Sequence, residues 1–302
     1  MSRRTRPGAR PLRRALAALL VAAPGCSLAI DFVIDRCETD EDCASKGAAY
    51  QGTVCYEGAC RGGPPVVARP EAWACVDAGP PAGEPPPEIT VGLRFVDLSG
   101  GMPLAGVSVT PCGRLDVTCA MALGSAVLSD ASGRAELRVP TAPAMPGEPG
   151  FSGYFLVSAE GRESVLLSFH PPLIADREET TPLSAAGQFA ELAGFSGLTL
   201  DPGRGNAVLL SANCNGEPGA EVIFQIEDGD ELSAIYYSVD GAPSRASDET
   251  DALGTAFAIN LPPGYVALNA SLDDGDNEFG LARFSVLSRP GFLTVASVAP
   301  DR

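Results

Sequence analysis

Apolar and polar side chains alternate along short stretches of the chain between residues 88 and 173. In "ITVGLRFVD" the apolar residues occupy every second position from Ile89 to Phe95, while Thr90 and Arg94 face the other way. This alternation predicts a half-buried β-strand. Further short stretches of the same kind follow, with turn residues between them and without an amphipathic helix: "AGVSVTP", "GSAVLSD", "RAELRVP", "GYFLVSAEG" and "ESVLLSFH". The pattern predicts a sandwich of antiparallel strands.

The second half of the chain repeats the order of the first half. Three matches occur in sequence: "PLAGVSV" (103–109) with "PGAEVIF" (218–224), "DASG" (130–133) with "DALG" (251–254), and "GYFLVSAE" (153–160) with "GYVALNAS" (264–271). Ordered matches of this kind indicate an internal duplication. The first copy carries an additional proline-rich insertion, "TAPAMPGEPGFS".

The repeated Asp-x-x-Gly phrase predicts a tight turn between two strands. The carboxylates of Asp130 and Asp251 can accept hydrogen bonds from backbone N–H groups two residues ahead. Gly133 and Gly254 would adopt the positive φ that closes such a turn. The fixed spacing is therefore interpreted as turn geometry, and a catalytic role for these aspartates is not favoured.

The series "PLAGVSV…DASGRAEL…GYFLVSAEG" resembles the carboxypeptidase regulatory-like domain. The resemblance covers about 88–173 and about 197–300, and the second copy departs from it at Glu221, where glycine is expected. It implies a transthyretin-like β-sandwich of about seven strands. In that family such domains are accessory modules for folding, adhesion or spacing, and the resemblance brings no catalytic residues.

The predicted fold class is therefore all-β, with two tandem seven-stranded-type antiparallel sandwiches preceded by a small disulfide-rich segment. Residues 62–87 are rich in proline and predict a stiff linker, in which Trp73 either folds back onto a neighbouring domain or stacks on a ligand. The expected organisation is a signal peptide at 1–25, a tether at 26–36, a cysteine-rich module at 37–61, the linker at 62–87, a first sandwich at 88–173, a joint at 174–195 that includes one short helical turn, and a second sandwich at 196–302.

The N-terminal stretch predicts export. An arginine-rich segment precedes an apolar run from Ala15 to Ala23, which is too short to span a bilayer and is typical of a secretion signal. The following Gly25, Cys26 and Ser27 resemble the lipobox of bacterial lipoproteins. That resemblance implies lipidation of Cys26, a membrane partner through the lipid, and, because Ser27 is not aspartate, the outer membrane or cell surface. The alternative is ordinary cleavage nearby, which gives a secreted or periplasmic protein.

The cysteines agree with an oxidising compartment. Nine are present, so eight remain when Cys26 is acylated, and an even set in an exported chain predicts disulfides. Four lie in "CETDEDCASKGAAYQGTVCYEGAC", which resembles a short cysteine-rich repeat of bacterial surface lipoproteins. The expected pairs are Cys37 with Cys55, Cys43 with Cys60, Cys112 with Cys119 around "GRLDVT", and, by elimination, Cys75 with Cys214.

Charge and motifs restrict the function. The chain has 21 basic and 38 acidic residues, and six arginines precede Cys26, so the exported part carries 15 against 38, a net charge of −23. Such a surface repels phosphate backbones, which excludes nucleic acid as the expected partner. His170 is the single histidine, no G-x-S-x-G accompanies it, and zinc peptidase motifs need two histidines. No enzyme activity and no cofactor are expected.

The sequence leaves the ligand and the function open. The loop "DDGDNE" supplies weak calcium candidates, Asp273, Asp274, Asp276 and Glu278. The expected function is a non-enzymatic cell-surface lipoprotein that acts as a structural, adhesive or spacer module with an unidentified protein or glycan partner. One alternative is a carbohydrate-binding protein, with Tyr154, Tyr236, Tyr237 and Tyr265 as stacking residues. Another is an accessory subunit of a secreted hydrolase; if the chain were itself a hydrolase, it would need a cleft joining His170 to a serine and an acid.

Overall fold

The computed structural model of the chain describes residues 37, 39–46, 53–56, 59–62, 71–76, 84–141, 150–239, 242–273 and 278–300. The expected signal peptide and tether (1–36) lie outside these residues. The chain divides into two units, Met1–Ala68 and Arg69–Arg302. Within the described ranges, no helix has both the length and the apolar character that crossing a membrane requires.

The first unit combines a short helix with a hairpin. Helix α1 spans Asp40–Ser45, and strands β1 (Thr53–Tyr56) and β2 (Ala59–Gly62) pair in antiparallel fashion. Thr39 caps the helix: its hydroxyl accepts from the Asp42 N–H at 3.4 Å, and the Asp42 carboxylate accepts from the Thr39 N–H at 2.9 Å. This helix is not among the predicted elements, although its Thr-x-x-Asp capping box is present in the sequence.

Seven strands form the first sandwich. They are β3 (Glu88–Asp97), β4 (Ser108–Cys112), β5 (Val127–Leu128), β6 (Arg134–Pro140), β7 (Tyr154–Ser158), β8 (Val165–His170) and β9 (Arg177–Leu183). One sheet has the order β6-β3-β9, and β8-β7-β4-β5 lie opposite it. The alternation predicted for β3 is confirmed, because its residues from Ile89 to Phe95 bury every second side chain in the core between the sheets.

The expected joint at 174–195 is wrong in its position. Strand β9 pairs in parallel with β3, so the first sandwich continues to Leu183. Only Thr181 and Leu183 of this strand are buried. Arg177 and Glu179 share their face and are half-buried, so the strand carries charged residues where an apolar alternation would be expected, and its sequence does not predict a strand. Helix α2 (Gln188–Phe195) then follows, in agreement with the expected helical turn.

The second sandwich has the same class of architecture. Its strands are β10 (Gly205–Ser211), β11 (Val222–Ile226), β12 (Ala234–Val239), β13 (Ala242–Ser244), β14 (Thr255–Leu261), β15 (Gly264–Asp273), β16 (Glu278–Ser288) and β17 (Leu293–Val298). Strands β11-β15-β16 form one sheet, and β13-β12-β14-β10-β17 lie opposite it. The all-β sandwich class predicted from the sequence is confirmed by this pairing.

The duplication is visible in the strand pairing. Strand β3 pairs antiparallel with β6 and parallel with β9, and β10 pairs antiparallel with β14 and parallel with β17. The order β4-β7-β8 likewise matches β11-β15-β16. The copies differ in two respects. Strand β5 pairs with β4, whereas β12 pairs with β14 in the other sheet, and β13, which pairs with β12, has no counterpart in the first copy.

The aspartates of the repeated phrase shape turns, as predicted. The Asp130 carboxylate accepts from the Ser132 N–H at 2.8 Å, and the Asp251 carboxylate accepts from the Leu253 N–H at 2.9 Å. The pKa of Asp130 is lowered, first by the hydroxyl of Ser132 and then by backbone N–H groups. Both carboxylates are engaged in local turn bonds.

The glycines of the phrase are required by both conformation and space. Gly133 has φ +80° and Gly254 has φ +64°. A Cβ atom would lie 2.4 Å from the Phe95 carbonyl oxygen at Gly133 and 2.7 Å from the Ser211 carbonyl oxygen at Gly254. Since the two turns press against corresponding carbonyls of β3 and β10, one structural reason explains both glycines.

The two sandwiches share one sheet, a feature that the sequence does not predict. Strand β17 pairs in parallel with β8 from Leu293–Val165 to Val298–His170. The result is a nine-stranded sheet with the order β13-β12-β14-β10-β17-β8-β7-β4-β5. In β17, Val295 packs in the core of the first sandwich, whereas Ala296 packs in the core of the second, so the two small sheets cover opposite faces.

Candidate functional site

The linker residue Trp73 is part of the core of the second sandwich. It lies in a 3₁₀ turn (Glu71–Trp73) and is 4% exposed. Its ring packs over Gly219, where an added Cβ atom would lie 2.6 Å from the indole. The prediction that the linker folds back onto a domain is confirmed, and the alternative of an exposed aromatic for ligand stacking is wrong.

The disulfide Cys75–Cys214 joins this linker to the second sandwich. It spans 139 residues of sequence. Next to it, the Cys214 N–H donates to the Ala72 carbonyl at 2.9 Å. The segment 71–76 is therefore held by a covalent bond, a backbone hydrogen bond and a buried indole.

Gly219 occupies the position that Leu104 has in the first copy. Leu104 N–H donates to the Phe95 carbonyl at 3.0 Å, and Gly219 N–H donates to the Ser211 carbonyl at 2.9 Å. The side chain of Leu104 packs against the core of the first sandwich. Gly219 has no side chain that could pack in the same way. Trp73 fills the corresponding place in the second core.

Two further expected disulfides are present, Cys37–Cys55 and Cys112–Cys119. Cys43 is also disulfide-bonded. The side chain of its expected partner Cys60 lies outside the described side chains, as does Cys26, the expected lipidation site.

The calcium candidates lie largely outside the described residues. Asp274 and Asp276 are not described, and neither are the side chains of Asp273 and Glu278. Among the residues that are described, no group of three or more His, Cys, Asp or Glu side chains could hold a metal ion.

The tyrosines proposed for sugar stacking do not form an exposed platform. Tyr154, Tyr236 and Tyr237 are buried. Tyr265 is 38% exposed, but its hydroxyl donates to a backbone carbonyl, that of Arg114, and burial raises its pKa to about 12. Packing across the sheets therefore accounts for these rings.

His170 borders a cavity far smaller than a substrate site. The cavity has a volume of about 20 Å³ and is lined by His170, Ser152, Ser168 and Arg114, among others. That volume holds about one water molecule, whereas small-molecule sites occupy about 300–1,000 Å³. None of the described residues lining it is an aspartate or a glutamate, so the acid that a hydrolase triad needs does not join His170 here.

The environment of His170 predicts a pH-dependent stability. Its Nε2 is enclosed, and desolvation followed by the charge of Arg114 lowers its pKa from 6.5 to about 4. As pH falls below 6.5 the unfolded chain takes up this proton before the folded chain does, so stability present above pH 6.5 is lost towards pH 4. Urea unfolding at pH 7 and pH 4 should show a loss roughly 3 kcal/mol larger in the wild type than in His170→Gln. Equal losses in both proteins would contradict this assignment.

A cleft of about 400 Å³ with both polar and apolar lining residues lies on the outer face of β11-β15-β16. Gln225, Asn269 and Arg283 stand directly opposite one another on its three strands. Glu227 accepts from Asn269 Nδ2 at 2.7 Å and from Arg283 Nη2 at 2.8 Å, and its pKa is lowered, first by Arg283. The Asn269 amide and the Arg283 guanidinium in this cleft are already bonded to Glu227. The described residues that line it include no nucleophile paired with a base.

Comparison with known proteins gives no assignment of this chain. No protein-family model and no curated protein matches the sequence. Among solved structures, the Bacillus anthracis TIE protein matches with 11% identity over 71% of this chain and 34% of that chain (TM-score 0.23). The shaft pilin SpaA of Lactobacillus rhamnosus GG matches with 12% identity over 71% and 98% (TM-score 0.24). A 3-chlorocatechol 1,2-dioxygenase of Rhodococcus opacus 1CP matches with 15% identity over 35% and 63% (TM-score 0.25). Scores this low carry no conclusion, and the fold rests on the strand pairing.

Proposed function

We propose that this chain is an exported, lipid-anchored and non-enzymatic surface protein, whose tandem sandwiches act as a structural, adhesive or spacer module. The observation that carries the proposal is that two features connect the described parts of the second unit. One nine-stranded sheet runs through both sandwiches, and Cys75–Cys214 fixes the linker segment 71–76 to the second sandwich. The resemblance of both copies to carboxypeptidase regulatory-like domains agrees with an accessory role.

The physical argument concerns rigidity. Domains joined by a flexible linker and a small interface move relative to each other by default. Here six residue pairs of β17 and β8 connect the two sandwiches through sheet hydrogen bonds. A body braced in this way keeps a fixed distance and orientation between its ends, which suits a spacer or a surface that presents a binding partner.

The residues that could suggest chemistry have structural roles. Asp130 and Asp251 cap turns, and the Asp42 carboxylate accepts from the N–H of Thr39, the residue that caps helix α1. His170 ends a strand beside a cavity of about 20 Å³. These uses favour a module that works by binding or spacing, with a protein or glycan as its unidentified partner.

The proposed anchor is a lipid on Cys26, which would attach the protein to the outer membrane. The support is the Gly25-Cys26-Ser27 phrase after the apolar run, together with disulfides that require an oxidising compartment. A diacylated and acylated cysteine supplies more than one chain, which is what stable membrane attachment needs.

Palmitate labelling tests this proposal directly. We expect the full chain, expressed in a Gram-negative host, to incorporate labelled palmitate and to fractionate with the outer membrane. Cys26→Ala should lose all label, whereas Cys119→Ser, a control for the loss of one thiol elsewhere, should keep it. Label that persists in Cys26→Ala, or an exported wild type without label, would refute the anchor.

A further inference from the structure

Three polar side-chain atoms border the small cavity beside His170 without a hydrogen-bond partner. They are Ser152 Oγ, Ser168 Oγ and His170 Nε2, and each is enclosed and unpartnered among the described residues. All three residues line the same cavity of about 20 Å³. Since buried polar atoms in proteins are nearly always hydrogen-bonded, three unpartnered atoms at one cavity indicate that a further molecule completes their bonding.

The walls of this cavity come from both sandwiches. Ser168 and His170 belong to β8, and they point away from the core of the first sandwich because the residues that alternate with them point into it. The second sandwich contributes Tyr265 of β15, Ser285 of β16 and Thr294 of β17. The cavity therefore belongs to the junction of the two sandwiches.

A disulfide-closed loop, residues 112–119, forms another part of the wall. Arg114 of this loop lines the cavity, and the disulfide joins the two ends of the loop. The Tyr154 hydroxyl of the first sandwich donates to the Asp116 carbonyl at 2.6 Å, and the Tyr265 hydroxyl of the second donates to the Arg114 carbonyl. Hydrogen bonds from both sandwiches therefore hold the loop at the cavity.

The size and the lining of the cavity suit one water molecule. A buried water needs a volume of about 10–15 Å³ and two to four polar partners, and this cavity has about 20 Å³ and three unpartnered atoms. A serine hydroxyl can both donate and accept. Burial, followed by the charge of Arg114, lowers the pKa of His170 to about 4, so at pH 7 its ring is neutral and Nε2 accepts or donates according to the tautomer.

Small ions suit the cavity less well than water. A cation would lie beside Arg114, and none of the described lining residues is an aspartate or a glutamate that could balance its charge. An anion would also bring a charge into an enclosed place, and burying a charge costs more free energy than burying a neutral molecule. A neutral ligand that both donates and accepts hydrogen bonds matches the two hydroxyls and the imidazole.

We propose that this cavity is the binding site of one structural water molecule, which hydrogen-bonds to Ser152 Oγ, Ser168 Oγ and His170 Nε2. The water supplies the missing partner of each atom and links three positions that are not bonded directly to one another. Because the cavity walls come from both sandwiches and from the loop 112–119, the water is part of the junction. The proposal is independent of export, of the lipid and of any binding partner.

The single histidine makes a direct test possible. All samples are the full chain with Cys26→Ala, expressed with export so that the disulfides form, and without a histidine tag. Selective isotope labelling of histidine then gives one set of ring signals, those of His170. We expect a nuclear Overhauser cross-peak between the His170 ring protons and water at pH 7. Oxygen-17 relaxation dispersion of the water signal counts long-lived water molecules independently of exchanging serine hydroxyl protons.

Three variants give the test its contrast. Ser168→Val replaces a hydroxyl with methyl groups that fill the cavity, so the cross-peak and one long-lived water molecule should be lost. The double variant Ser152→Ala, Ser168→Ala leaves one of the three partners and should lose the water as well, which keeps the test valid if valine prevents folding. Ser184→Ala is the matched control, because Ser184 Oγ is also enclosed and unpartnered among the described residues but does not line the cavity, and the water should remain.

The outcomes separate the possible occupants of the cavity. A parent chain with neither the cross-peak nor a long-lived water molecule would overturn the proposal. So would a water signal that both Ser168→Val and the double variant leave unchanged, or one that Ser184→Ala removes equally. Chlorine-35 line broadening that Ser168→Val abolishes, in a parent chain without a long-lived water molecule, would overturn it in favour of a small anion.

Discussion

Replacing Trp73 with alanine is expected to lower the free energy of unfolding by about 3–5 kcal/mol, the loss typical of a buried large aromatic. The indole is 4% exposed and packs among the core residues of the second sandwich, so its removal leaves a cavity that the surrounding sheets cannot close. Urea unfolding followed by circular dichroism measures the change. Phe195→Ala is the control, since Phe195 is 89% exposed and its loss should cost less than about 0.5 kcal/mol.

The pairing of Trp73 with Gly219 allows a sharper test of the same contact. In an otherwise wild-type chain, Gly219→Leu should destabilise, because a Cβ atom there lies 2.6 Å from the indole. In Trp73→Ala the same substitution should stabilise, because the leucine recreates the packing that Leu104 provides in the first copy. The sign of the effect of Gly219→Leu therefore reverses with residue 73. An effect of the same sign in both backgrounds would contradict the view that Trp73 supplies a missing core side chain.

Local patterns predict the elements of this fold that depend on neighbours in sequence. The alternation from Ile89 to Phe95 predicts β3, since each strand residue faces the side opposite to the next. The Asp-x-x-Gly turns are predicted because a short carboxylate bonds the N–H two residues ahead, as Asp130 and Asp251 do. These features need no knowledge of distant partners.

The shared sheet depends on partners that are distant in sequence. Strands β17 and β8 pair although more than 120 residues of sequence separate them. No local pattern distinguishes an inner strand of such a shared sheet from an edge strand. Strand β9 is not predicted from the sequence for another reason. Its "REETTPL" sequence buries only Thr181 and Leu183, so composition suggests a polar joint while hydrogen bonding to β3 makes it a strand.

The contact of Trp73 with the second sandwich is only partly predictable from the sequence. The sequence indicates that a tryptophan beside a cysteine folds back, but it does not indicate which sandwich receives it. One signal was available: aligning "PLAGVSV" with "PGAEVIF" places Gly219 opposite Leu104, so the second copy lacks one core side chain. A large apolar residue from elsewhere in the chain must then fill the space, and Trp73 is the single tryptophan.

Removing the Cys75–Cys214 bond by changing both cysteines to serine is expected to cost about 2–5 kcal/mol of unfolding free energy. The bond closes a loop of 139 residues in the unfolded chain, and a larger closed loop restricts the unfolded ensemble more strongly. The variant should also release the segment 71–76 more easily. Trp73 fluorescence should then shift towards the emission of exposed indole at a lower urea concentration than the circular dichroism signal changes.

The matched control is the second disulfide of the same unit, Cys112–Cys119, which spans 7 residues. Changing both of these cysteines to serine should cost roughly 2–3 kcal/mol less than the loss of Cys75–Cys214, since the entropic effect grows with the logarithm of loop length. Equal losses from the two pairs would show that local packing, and not restriction of the unfolded chain, dominates. Fluorescence and circular dichroism that change together in the Cys75→Ser, Cys214→Ser variant would show that Trp73 anchors the linker without the covalent bond, and that the disulfide only secures a contact the indole already makes.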